Sequence, residues 1–87
     1  MSTQASSSPV AVVTGGARGI GLGIGQWFLD HGYKVVLLDV DQATLAATEK
    51  TLNRPQDVLV LHCDVSKPDQ VDAACKAVVA RFGRVDA

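Results

Sequence analysis

Cysteine is scarce in this 87-residue sequence: Cys63 and Cys75 stand apart, forming neither a C-x-x-C pair nor a disulfide framework. Both lie among apolar neighbours and are expected to be reduced, buried packing residues, which fits a cytoplasmic setting. His31 and His62 have no partners at metal-ligand spacing, so no metal is expected. Neither charge sign dominates. Eight Lys and Arg face nine Asp and Glu, for a net charge of −1, which leaves no basic footprint for nucleic acid. No apolar run approaches the ~20 residues that cross a bilayer, so no membrane partner is expected. The opening M-S-T-Q-A-S-S-S-P lacks both the basic and the apolar segment of a signal peptide, and residues 1–9 read as a disordered polar tail.

What the chain does have is a regular alternation of apolar segments from residue 10 to residue 87. V-A-V-V at 10–13 is a continuous apolar run, as expected of a strand buried on both faces. Ile20, Ile24, Trp27, Phe28 and His31 recur at helical spacing and predict the inner face of a helix closed by Gly32. K-V-V-L-L at 34–38 predicts a second strand, ending at Asp39. Asp41 is placed to cap a helix over 42–52, with Leu45, Thr48 and Leu52 inward and Asn53, Arg54 and Pro55 breaking it. D-V-L-V-L-H-C at 57–63 predicts a third strand. Ser66 with Asp69 resembles a capping box, opening a helix with Val71, Ala74, Cys75, Val78 and Phe82 inward and Gly83 at its end. Val85 is expected to begin a fourth strand. Strands alternating with helices imply a parallel sheet, and right-handed crossovers give the strand order 3-2-1. The fold class is therefore α/β, the N-terminal β-α-β-α-β-α half of a Rossmann-type doubly wound sheet.

The densest feature is T-G-G-A-R-G-I-G at 14–21, between the first strand and the first helix. Ligands of open α/β sheets bind at this place, where a helix N-terminus offers unpaired N–H groups and the positive end of its dipole to a phosphate. Glycine lets backbone and anion approach and permits positive φ. G-x-G-x-x-G does not fit, because Ile24 and Gln26 stand where its last glycine would fall. The pattern that fits is T-G-x-x-x-G-x-G, on Thr14, Gly15, Gly19 and Gly21, with Arg18 and Ile20 inside the turn. Gly23 and Gly25 lie inside the helix and are expected to let it approach the sheet closely. Absence of a Gly-Lys-Ser/Thr excludes a nucleoside-triphosphate loop. Thr14, where an acid would be expected, argues against an S-adenosylmethionine site.

Asp39 follows the second strand at the distance, about 20 residues past the glycines, at which a carboxylate accepts from the adenosine ribose hydroxyls of a dinucleotide. The same charge repels a 2′-phosphate, and Asp41 adds to it. Arg18 pulls the other way, because a guanidinium can pair with that phosphate; as a flexible exposed side chain it is expected to be outweighed. NAD is therefore expected in preference to NADP, with Val40 beside the selecting acid. Asp64 and Val65, after the third strand, are placed to meet the adenine ring; by position alone, a turn or capping role for Asp64 is equally open.

Together these motifs resemble the short-chain dehydrogenase/reductase family over residues 9–87. T-G-G-A-R-G-I-G resembles its glycine turn, V-V-L-L-D its second strand with the NAD-selecting acid, H-C-D-V its adenine contact, and F-G-R-V-D-A the approach to its fourth strand. The resemblance implies hydride transfer between NAD(H) and a small alcohol or carbonyl substrate, in a homodimer or homotetramer. It also implies that the catalytic Asn, Ser, Tyr and Lys lie beyond Ala87. The one tyrosine, Tyr33, has Leu37 rather than Lys four residues on, and no catalytic residue is assigned. A non-catalytic dinucleotide-binding module would share every feature present here.

Overall fold

The computed structural model describes residues 8–86, so residues 1–7 of the expected tail lie outside the described residues. Strands and helices alternate as β1 (Val10–Thr14), α1 (Gly19–Asp30), β2 (Lys34–Asp39), α2 (Gln42–Leu52), β3 (Val58–His62) and α3 (Pro68–Phe82). The strands form one parallel sheet with β2 between β1 and β3. Register sets Thr14 opposite Leu38 and Asp39 opposite His62, so the strands end together. The architecture is the α/β, Rossmann-type half-sheet expected.

The β2 sequence K-V-V-L-L-D explains the layering. Side chains alternate across a strand, and both faces of β2 are buried. Val35 and Leu37 pack with Val13, Val58, Leu29 of α1 and Leu45 of α2. Val36 and Leu38 pack on the opposite face with Val10, Cys63, and Ala74 and Val78 of α3. Each fully buried aliphatic side chain contributes about 1.5–3 kcal/mol. At the amino edge of the sheet the Lys34 ammonium meets the Asp57 carboxylate at 2.6 Å and Val35 N–H donates to the Asp57 carbonyl, tying the start of β2 to that of β3.

Four details differ from the sequence reading. The inner face of α1 is Gly25 and Leu29, flanked by Leu22 and Phe28. Ile20, Ile24 and Trp27 are exposed, and His31 stacks on Trp27 at the surface with ring centroids 3.8 Å apart. Helical spacing identified a large apolar stripe, but the side of the helix with the smallest residue reaches closest to the sheet. A Cβ on Gly25 would stand 3.0 Å from the Leu37 Cδ2, whereas Gly23 faces open space. Second, Cys75 is exposed, one position beyond the buried Ala74; Cys63 is buried, and both are free thiols. Third, α3 is opened by Pro68 in its first turn with Lys67 as N-cap, and no side chain caps it. Ser66 lies one residue before that N-cap and instead bonds the Asp64 carboxylate through its amide and its hydroxyl. Fourth, Val85 starts no strand, yet Asp86 lies along β1: its N–H donates to the Val10 carbonyl at 2.8 Å and its carboxylate accepts from Val10 N–H at 2.9 Å. By contrast α2 runs over the predicted residues, capped by the Asp41 carboxylate on Thr44 N–H and ended by Asn53 in the left-handed region.

Candidate functional site

The strand ends and the loops that follow them enclose a cleft of about 290 Å³, lined by Thr14, Gly15, Leu38, Asp39, Val40, Cys63, Asp64 and Val65. Six of the sequence-predicted residues line it, and Arg18, Gly19, Ile20 and Gly21 form the adjoining mouth of α1. Val40 and Val65 are exposed at the rim, and Ile20 is more exposed still, at 84%.

The glycines of the turn answer distinct demands. Gly15 and Gly19 have φ of 63° and 61°, a region that a side chain disfavours. Gly21 is constrained by contact: a Cβ there would stand 2.0 Å from the Gly15 carbonyl oxygen. The turn therefore asks for glycine at Gly15 and Gly19 through backbone conformation and at Gly21 through close packing of the turn on itself.

Hydrogen bonds fix which amides remain available. Gly16 N–H donates to the Leu38 carbonyl at 3.1 Å, and Ala17 N–H to the Asp39 carboxylate at 3.2 Å. The first helical bond runs from Leu22 N–H to the Arg18 carbonyl. The amides of Gly19, Ile20 and Gly21 precede it and have no acceptor within the helix. No side chain caps α1, and no acid stands in its first turn. The mouth of α1 thus presents backbone amides without helical acceptors, the donor chemistry that a pyrophosphate requires.

Asp39 is the hinge of the arrangement. One oxygen takes Ala17 N–H and the other takes Asp41 N–H, each at 3.2 Å. Its carboxylate is so locked between the glycine turn and the start of α2. Two carboxylate oxygens carry about four acceptor positions, so each keeps capacity for a ribose hydroxyl.

Arg18 is paired rather than solvated alone. Its Nη2 lies 2.7 Å from Asp41 Oδ2, a pair the sequence reading did not foresee. Bonds from Thr44, with Arg18 adding its charge, hold the Asp41 carboxyl below the ordinary carboxylate range. Asp64 Oδ1 accepts from both the amide and the hydroxyl of Ser66, which lower its pKa, so the turn role is realised at this residue. Thr48 makes a contact with the candidate site that the sequence concealed. From the buried face of α2 its hydroxyl donates to the Ala17 carbonyl at 2.6 Å, bracing the glycine turn from below. The available signal was a hydroxyl at a position whose helical spacing pointed inward.

Fold and site together define a Rossmann-type α/β half-domain with a glycine turn and an acid one strand over. Comparison with known proteins gives the family. The short chain dehydrogenase family model matches residues 9–87. An uncharacterised oxidoreductase of Mycobacterium bovis is 43% identical over 76 residues, covering 87% of this chain and 31% of that protein. A short chain dehydrogenase/reductase from Burkholderia phymatum, solved in complex with NAD, superposes with a TM-score of 0.83 at 38% identity, over 90% of this chain and 28% of that one. A 3-ketoacyl-(acyl-carrier-protein) reductase from Brucella melitensis, solved with NADH, gives 0.82 at 36% identity, over 90% and 31%. The chain belongs to the short-chain dehydrogenase family, and it spans less than a third of the length of these relatives.

Proposed function

We propose that this chain supplies the cofactor-binding half of an NAD-dependent oxidoreductase acting on a small alcohol or carbonyl compound. The observation that carries the reading is the pairing of the open amides of Gly19, Ile20 and Gly21 with the anchored Asp39 carboxylate across one cleft. The amides receive the pyrophosphate. Asp39 accepts from the adenosine ribose and opposes a 2′-phosphate. Val40 and Val65 offer apolar rims to the adenine ring, with Asp64 at its edge. Thr14 and Gly15 floor the cleft at the end of β1. When bound, the nicotinamide ring accepts or donates hydride; the protein's part here is to fix the dinucleotide against the strand ends. The two solved neighbours holding NAD or NADH support this cofactor class. Catalytic groups lie outside this chain in the proposal, which assigns the complete protein to a homodimer or homotetramer in the cytoplasm. No helix among the described residues is long and apolar enough to cross a membrane.

Titration of the complete protein with NAD and NADP tests the reading. NAD is expected to bind more tightly. NADP binding as tight or tighter overturns the role given to Asp39, and binding of neither overturns the site.

A further inference from the structure

We infer that Asp41 is a second determinant of cofactor choice, acting by holding the Arg18 guanidinium away from a 2′-phosphate; this rests on the dinucleotide reading above. Arg18 ends the glycine turn, with its side chain 67% exposed and its Nη2 at 2.7 Å from Asp41 Oδ2. The partner oxygen, Asp41 Oδ1, accepts from Thr44 N–H at 3.0 Å at the start of α2. Asp41 N–H is in turn bonded to Asp39 Oδ1. The chain of contacts runs from guanidinium to Asp41 to Asp39, so the acid facing the ribose also positions the acid that occupies the arginine.

A guanidinium is the side chain best matched to a phosphate, through bidentate donors. Free of Asp41, Arg18 favours a phosphorylated ribose; paired with it, the cation is occupied and the approaching phosphate meets two carboxylates. The unphosphorylated ribose carries no charge and is indifferent to the pair. An exposed ion pair is a modest interaction, so the effect adjusts a preference that Asp39 sets.

The decisive variant is Asp41→Asn in the complete protein, because asparagine keeps the oxygen that caps α2 and loses the charge. Dissociation constants for NAD, NADP, ADP and 2′,5′-ADP are measured by calorimetry. The ratio of the NAD to the NADP constant is expected to rise about two- to fivefold, with the same change between ADP and 2′,5′-ADP. Arg18→Ala added to Asp41→Asn should remove most of the gain, leaving only the part due to lost repulsion by the Asp41 carboxylate, while Asp41→Glu should retain the wild-type ratio. Asp41→Ser, also a capping residue, should repeat the Asn result if that variant fails to fold. An unchanged ratio, or a gain that survives Arg18→Ala undiminished, overturns the inference while leaving the dinucleotide site standing. Failure of the wild type to bind any of the four ligands overturns the site itself and the inference with it.

Discussion

At the scale of single residues, the glycine turn is governed by contacts that composition cannot show. Gly21 is required by the Gly15 carbonyl, which a methyl group would meet at 2.0 Å. Backbone cannot yield as a flexible side chain can, so Gly21→Ala is expected to displace the turn and its amides. NAD affinity should fall by an order of magnitude or more, with a lowered melting temperature, checked by calorimetry and thermal unfolding. Gly23→Ala is the control: a Cβ there meets nothing within 4 Å, and alanine is the better helix former, by about 0.5–1 kcal/mol. Thr48 acts one layer below. Thr48→Val keeps the shape but leaves the Ala17 carbonyl without its donor, at a cost of about 1–3 kcal/mol in stability. Because Ala17 adjoins the open amides, NAD affinity should weaken in the same variant. Denaturant unfolding and NAD titration of Thr48→Val, with Thr48→Ser as the hydroxyl-retaining rescue, separate the bond from packing.

At the scale of elements, the segments with one unambiguous signal were legible. The continuous aliphatic runs gave all the strands because a strand buried on both faces admits only apolar side chains. The cap at Asp41 and the breaker at Asn53 delimited α2. Where two signals competed, the local one lost. On α1 the stripe of Ile20, Ile24 and Trp27 suggested an inner face, but Gly25 gave the sheet its nearest approach. At α3 the helix starts at Pro68, with Lys67 as its N-cap, and the Ser66 expected there is taken up by the Asp64 turn. The glycine turn and Asp39 were readable as a candidate site because their spacing is fixed by the fold, whereas the Arg18–Asp41 pair and the Thr48 brace join residues of different elements and emerge only in three dimensions. One element-scale contact carries a pH signature. Asp57 bridges Lys34 at the start of β2 and Arg54, and the Lys34 hydrogen bond foremost, with the Arg54 pair, lowers its pKa against the opposing effect of burial. A carboxyl depressed in the folded state contributes stability above its unfolded pKa, near 3.9, and loses it as pH falls through the lower folded value. Thermal unfolding should therefore show wild type more stable than Asp57→Asn at neutral pH, with the difference shrinking from about pH 4 downward. A difference independent of pH would contradict the ion-pair account.

At the scale of the whole molecule, the half-sheet is asymmetric. One edge is β3; the other is β1, a strand with V-A-V-V sequence that pairs with β2 on one side and takes the short contact from Asp86 on the other. Beside it an apolar groove of about 380 Å³ opens between β1 and α3, lined by Val12, Leu38, Val71, Ala74, Val78 and Val85 among others. Unpaired strand edges next to apolar surface are templates for association. Tyr33 sits before β2, at the end of the sheet opposite the cleft, in edge contact with Phe28. It is the chain's one tyrosine and cannot reach a ligand at the strand ends. Residues 1–87 expressed alone are accordingly expected to bind an apolar dye such as ANS, to self-associate in size-exclusion chromatography, and to show no NAD-dependent turnover, although the glycine turn and Asp39 are present in full. A monodisperse, dye-silent species would show that β1 and α3 are satisfied without further chain, and NAD-dependent turnover by that piece would place catalytic groups within these residues, against the division of labour proposed for the protein.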